Sequence, residues 1–487
     1  MLGRWAQLVL ALGTLTVMAR FLGPELYGSY SLAILAMTFA DTLVFGTFSE
    51  TLVQRKTIGE HHKAAAFLVS LGLALLLALA LIPAAEPVAA ALNAPTMADV
   101  LPFIGIAVVM VAAGVVPAAL LQRDFNQRAL VLVEQLANTI SSLVGIGFAF
   151  AGAGIWSLVA MELVRAFIRL VGLYARCGWR PGFRTDRAAL EAVLRFGSGS
   201  LLLKMLMFVS TQSPRLFIGL ALGPAAVGLF ALAWRLYETV QRMLVTPMTS
   251  IAMATAARTQ EDLAFLRTML ASAAKASSLV AYPAFVGIAL AAPVAIPLIF
   301  GPEWQDAVIP AQILSLMGIR GAISGFNSGI LRGLGRIDLQ IRASIATAAY
   351  TLAVVPLVAG FGIIVVSVAL LLRNLLLWPL SAGFINRVIG LPVGYQLRMS
   401  AEAAMACVPM AVVLLPMPLL LDGLSPALLL VLMVGVGALV YIAAISLIAP
   451  DVAQGLLKAG RAMLRRDRQA AMSHIKSASR ARLPDGL

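Results

Sequence analysis

The sequence predicts an all-α integral membrane protein of about fourteen transmembrane helices, with two parallel six-helix lobes around a central cleft and two further C-terminal helices. Three observations predict it. Of 487 residues, 61% are hydrophobic and only 12% charged, about half the charged share of a soluble domain. Apolar runs of about 20 residues recur from end to end, and only helices or closed barrels satisfy backbone polar groups in lipid. A barrel needs short alternating strands, whereas these runs are long and continuous. Third, the stretch Leu22-Gly23-Pro24-Glu25-Leu26-Tyr27-Gly28 through Ala33 returns two hundred positions later as Leu222-Gly223-Pro224-Ala225-Ala226-Val227-Gly228 through Ala233. Gly-Pro cannot continue a helix and Gly tolerates a tight reversal, so each copy reads as the tip joining the first two helices of a duplicated half.

The runs lie at 2–21, 28–53, 64–84, 100–121, 130–151, 154–176, 197–221, 226–252, 275–299, 307–330, 340–361, 363–386, 402–421 and 427–449. The first run could be mistaken for a signal peptide, but its repeat partner is an internal helix. The duplication continues beyond the tips. Ala151-Gly152-Ala153-Gly154-Ile155 faces Ala359-Gly360-Phe361-Gly362-Ile363, and Arg165 falls opposite Arg373. The organisation is therefore a lobe over 1–196, a second over 197–400, two additional helices within 401–450, and a basic tail over 451–487 that could rest on membrane lipids.

Charge tests this topology. With the N-terminus inside, inner connections collect Arg55, Lys56 and Lys63, then Arg123 and Arg128, then Arg176 to Arg195, and so on to the tail. Outer connections hold Glu25, Glu86, Asp99, Glu303, Asp306 and Asp422. This separation places both termini on the cytoplasmic side. It also explains the net charge of +14 without nucleic acid, because the excess is spread over many short loops rather than one patch. Cys177 and Cys407 are far apart without metal spacing, and His61-His62 read as loop residues. Trp156 and Trp304, at outer helix ends, read as interface anchors. No nucleophile–base pair, catalytic carboxylate pair or phosphate-binding loop stands out, so neither an enzyme nor a cofactor or metal is expected.

Several motifs, in order, resemble the polysaccharide flippases of the Wzx type, within the multidrug/oligosaccharidyl-lipid/polysaccharide exporter superfamily. They are Arg20-Phe21-Leu22-Gly23-Pro24-Glu25-Leu26-Tyr27-Gly28, Leu52-Val53-Gln54-Arg55-Lys56 and Leu121-Gln122-Arg123-Asp124-Phe125, with Gly152 to Val159 and Phe300-Gly301-Pro302-Glu303-Trp304. The resemblance implies a cavity that opens alternately to the two sides of the bacterial inner membrane. It implies an undecaprenyl-diphosphate-linked oligosaccharide as cargo, and other polysaccharide-assembly proteins as partners.

Among the basic residues within the runs are Arg20, Arg165, Arg169, Lys204, Arg215, Arg235, Arg242, Arg320 and Arg373. Each costs about 2.5–3.5 kcal/mol at the bilayer centre unless it finds a partner, a cavity or the interface. Arg169 can snorkel, and Glu162 can pair with Arg165. The spacing of Arg235, Glu238 and Arg242 confines them to one helix face, where Glu238 neutralises one arginine at a time. Lys204 and Arg215, eleven apart, share a face of the preceding helix, where Pro214 is expected to introduce a kink. If the family arrangement holds, both faces line the cleft, and guanidinium groups suit a diphosphate. The alternative is an internal ion-pair network. Asp41, mid-run, either pairs with Arg20 or serves as a proton or cation site. Competing readings are a lipid II or multidrug transporter of the same superfamily and a membrane glycosyltransferase or polymerase. An exporter of cations would line its cleft with acids, and the enzyme classes usually carry a sizeable aqueous loop, which is missing between these runs.

Overall fold

A computed structural model of the chain describes residues 2–55, 58–187, 189–191 and 198–450, with no strand among them; the expected basic tail lies outside the described residues. Eleven described helical segments are long and apolar enough to cross a membrane. The expected runs map onto these with an instructive difference. The first two merge into one segment, Leu10–Val53, and the runs at 154–176 and 226–252 are the two whose helices carry the clustered charges. Apolarity alone does not select them.

The chain packs as two compact units, Met1–Ala231 with Thr351–Gly362, and Leu232–Tyr350 with Ile363–Leu487. The first contains helices α1 (Leu2–Ala40), α2 (Gly46–Gln54), α3 (Glu60–Ala91) and α4 (Pro95–Ala113). It continues with α5 (Val115–Arg123), α6 (Gln127–Phe150), α7 (Trp156–Cys177) and α8 (Ser198–Leu222). Helix α1 breaks at Gly23, which has φ 66°. Its repeat partner Gly223 has φ 80° and separates α8 from α9 (Pro224–Val240). In both copies glycine takes the left-handed turn and proline restarts the helix, where its missing N–H is no loss.

The second repeated glycine serves a different purpose. A Cβ on Gly28 would stand 1.7 Å from the Pro224 carbonyl oxygen, and a Cβ on Gly228 would stand 1.9 Å from the Pro24 carbonyl oxygen. The two Gly-Pro copies therefore pack against each other, backbone on backbone and reciprocally, inside the first unit. Only a residue without a side chain allows this approach. The repeat shows itself once more at Asp41–Phe45 and Gln241–Val245, both π turns and again two hundred positions apart. A π turn widens the helix by one residue per turn and is frequent at functional sites.

Local contacts explain two further motifs. Arg123, at the end of α5, donates from Nη1 to the Leu52 carbonyl at 3.2 Å and also to that of Arg55, so it caps the exposed carbonyls ending α2. Pro302–Ala307 forms a 3₁₀ turn after Gly301, whose φ is 117°. That turn carries Trp304 inward to 0% exposure. The expectation of an interface anchor is corrected here, because the short turn points the indole into the protein rather than along the helix end. Trp156 remains 40% exposed, edge-on to Phe103 at 5.0 Å.

The second unit holds α10 (Thr246–Arg258), α11 (Leu263–Phe300), α12 (Val308–Gly333) and α13 (Ile337–Ala359), whose last turns belong to the first unit. It ends with α14 (Ile363–Ile389), α15 (Val393–Arg398), α16 (Ala401–Leu414), α17 (Met417–Leu420) and α18 (Pro426–Ile448). Phe285, Phe326, Ile330 and Ile385 share one buried cluster with Cys407, Met410, Met433 and Tyr441. The helices beyond the repeat are thus built into this core. Polar contacts fix their register: Lys275 meets Glu402 at 2.8 Å, and the Tyr441 hydroxyl donates to the Leu279 carbonyl at 2.9 Å. Loss of that buried bond in Tyr441→Phe is expected to lower stability by about 1 kcal/mol, read as an earlier melting transition with unchanged helicity.

Candidate functional site: ionic faces within the membrane helices

In the first unit the charges form pairs and a network. Helix α7 presents Glu162, Arg165 and Arg169 at spacings of three and four, one face of a helix. Arg165 donates to the Glu162 carboxylate, which is 4% exposed. Arg169 meets Glu134 of α6 at 3.3 Å, so it has a partner in the bundle as well as a route to the interface. Asp41, in the first π turn, lies within electrostatic reach of Arg169, Arg165, Glu134 and Glu162. Its surroundings thus include both of these arginines, neither of which the sequence spacing suggested as its neighbour. Arg20 lies exposed on α1.

Helix α8 carries the other two basic residues. Lys204 pairs with Glu50 of α2 at 2.7 Å, and Arg215 donates to the Gln212 side chain at 3.0 Å. The helix runs on through Pro214. Part of the cationic face expected here is therefore neutralised within the unit. In a double-mutant cycle, Glu50→Gln and Lys204→Met should show a coupling of about 1 kcal/mol in thermal unfolding.

The second unit contains the face of Arg235, Glu238 and Arg242. Glu238 pairs with Arg242 at 2.9 Å, while the Arg242 side chain stays 68% exposed. Arg235 is exposed as well. Two arginines against one carboxylate leave this face positive. Deeper in the unit, Arg320 donates to the Asn374 Oδ1 at 2.9 Å, and Arg373 is 8% exposed. Both lie within electrostatic reach of Tyr237, whose hydroxyl accepts from Gln241 at 3.2 Å. Arg373 is thus buried deeper than its repeat partner Arg165, and the two halves use that position differently.

The predicted site residues are divided between the units: Arg20, Asp41, Lys204 and Arg215 in the first, Arg235, Glu238 and Arg242 in the second. Sequence reasoning overlooked Glu50, Glu134 and Asn374. The two acids were open to discovery, since each is a charged residue inside an apolar run and is expensive there without a partner.

A bundle of apolar helices with charges gathered on selected helix faces defines a polytopic helical membrane protein. Its fold is that of a solved lipid II flippase, MurJ, in an inward closed conformation, with a TM-score of 0.72 at 12% identity over 93% of this chain and 98% of that one. The model of a family described as polysaccharide biosynthesis protein matches residues 17–309, and the chain belongs to that family. Among its relatives, the succinoglycan biosynthesis transport protein ExoT of Rhizobium meliloti is 26% identical over 66% of this chain and 65% of its own length. The lipopolysaccharide biosynthesis protein WzxC of Escherichia coli is 23% identical over 69% of each chain. The chain thus aligns with about two thirds of the length of these relatives.

Proposed function

We propose that this chain is a flippase of the bacterial inner membrane, with both termini cytoplasmic, and not an enzyme. It moves undecaprenyl-diphosphate-linked oligosaccharide units to the outer leaflet for surface polysaccharide synthesis, by presenting its binding face alternately to the two sides. The observation that carries this reading is the positive face of Arg235, Glu238 and Arg242, on a helix expected from the sequence to cross the membrane, in a chain of the polysaccharide biosynthesis family. A guanidinium within a membrane run is costly unless it finds a partner, a cavity, a charged ligand or the interface, and Glu238 can pair with only one of the two arginines at a time. A diphosphate offers oxygens that accept charge-assisted, bidentate bonds, whereas a cationic drug would be repelled. Lys204, Arg215, Arg20 and Asp41 of the first unit are further residues of the proposed substrate pathway. Polysaccharide-assembly proteins that supply and consume the lipid-linked unit are the expected partners.

Conditional depletion in the native cell tests the proposal. Lipid-linked oligosaccharide should accumulate in the inner leaflet while surface glycan falls. Normal surface glycan without accumulation would sink it. The likeness in fold to a lipid II flippase supports a second reading with the same diphosphate chemistry. The same depletion separates the two, because a lipid II carrier would halt cell-wall synthesis first.

A further inference from the structure

The first unit holds a cavity of about 270 Å³ between α5, α6 and α7, with Glu134 and Arg169 in its wall and Gln122, Leu130, Val131 and Leu173 around them. Glu134 lies seven residues into α6, about 10 Å from its start. The cavity is smaller than the roughly 300–1,000 Å³ of typical small-molecule pockets, so it suits a headgroup and not a glycan.

Its charges narrow the choice further. The Glu134 side chain is 44% exposed and that of Arg169 24% exposed, with 3.3 Å between their charged atoms. A ligand can therefore reach both while they remain neighbours. The surrounding network counts three carboxylates, Asp41, Glu134 and Glu162, against two guanidinium groups, Arg165 and Arg169. A purely anionic headgroup, or the diphosphate of the proposed cargo, would meet Glu134 at close range and be repelled. A group with a cation and an anion side by side fits both walls.

We propose that this cavity binds the headgroup of a zwitterionic aminophospholipid. The primary ammonium bonds to the Glu134 carboxylate, the phosphodiester to the Arg169 guanidinium, and one acyl chain lies along Leu130, Val131 and Leu173. The lipid acts as a wall component that pairs separately with each member of the Glu134–Arg169 ion pair. The inference is independent of the cargo.

Native mass spectrometry of the full-length protein, titrated with phosphatidylethanolamine, phosphatidylcholine and phosphatidylglycerol, tests it. Phosphatidylethanolamine should be retained about tenfold better than either other lipid, the factor that one charge-assisted hydrogen bond supplies. Phosphatidylcholine lacks N–H donors and phosphatidylglycerol lacks the ammonium, so the two arms separate hydrogen bonding from charge. Glu134→Gln should reduce phosphatidylethanolamine to the level of the others. Val131→Trp, at a position 51% exposed, should do the same by filling the cavity without disturbing the core. Equal retention of the three lipids overturns the proposal, as does a preference for phosphatidylglycerol. An ethanolamine advantage that survives in both variants overturns it as well.

Discussion

Gly28→Ala and Gly228→Ala are each expected to destabilise the protein by about 3 kcal/mol or more, at the upper end of overpacking effects. A methyl at either position would sit far inside van der Waals contact distance of a carbonyl oxygen, at 1.7 and 1.9 Å. The obstacle is backbone in both cases, so no rotamer change can relieve it, and the two Gly-Pro copies must separate. Gly23→Ala makes the control. There a Cβ meets nothing within 4 Å, but the backbone sits at φ 66° and ψ 176°, an essentially glycine-only region, so the cost is backbone strain of about 1–3 kcal/mol without a steric clash. Thermal unfolding in detergent should rank Gly28→Ala and Gly228→Ala together, well below Gly23→Ala. Equal losses at all three sites would show that turn conformation, not close packing, explains the repeated glycine.

The second large effect concerns transport. Arg235→Ala and Arg242→Ala should each slow translocation of a lipid-linked oligosaccharide about tenfold, and together by roughly a hundredfold, as expected for lost charge-assisted bonds. Both side chains are exposed and pack against little, so melting temperature should barely move. Lysine at either position keeps the charge but loses the planar fork, and should restore only part of the rate. Glu238→Gln should act in the opposite sense on binding, because it frees Arg242 from its 2.9 Å partner.

Much of the fold is legible in the sequence because membrane helices declare themselves by run length, and a duplication by its repeated Leu-Gly-Pro. The meaning of the second glycine was not legible. Gly28 and Gly228 look like turn residues until the two copies are seen in contact. The π turns at Asp41–Phe45 and Gln241–Val245 leave no compositional mark, since Asp-Thr-Leu-Val-Phe and Gln-Arg-Met-Leu-Val share no residue position by position. The same limit applies to ionic partners. The pairs Glu162–Arg165 and Glu238–Arg242 are local and follow from helical spacing. The pairs Glu50–Lys204 and Glu134–Arg169 join different helices, and only tertiary packing reveals them. Trp304 shows the opposite error, where an aromatic residue at a helix end was read from its position rather than from the turn that carries it inward.

These pairings reshape the expectation of one cationic surface. Lys204 is engaged with Glu50, and Arg165 and Arg169 are engaged with carboxylates of their own unit. The face of Arg235 and Arg242 retains excess positive charge at an exposed position, and the proposal for cargo binding therefore concentrates there. The most direct measurement is leaflet translocation in reconstituted vesicles, comparing a defined undecaprenyl-diphosphate-linked oligosaccharide with lipid II, for the wild type and for Arg235→Ala/Arg242→Ala. The account predicts that the wild type moves the oligosaccharide carrier in preference and that the double variant loses this activity while staying folded. Unchanged rates in the double variant, or no movement of the oligosaccharide carrier by the wild type, would contradict it.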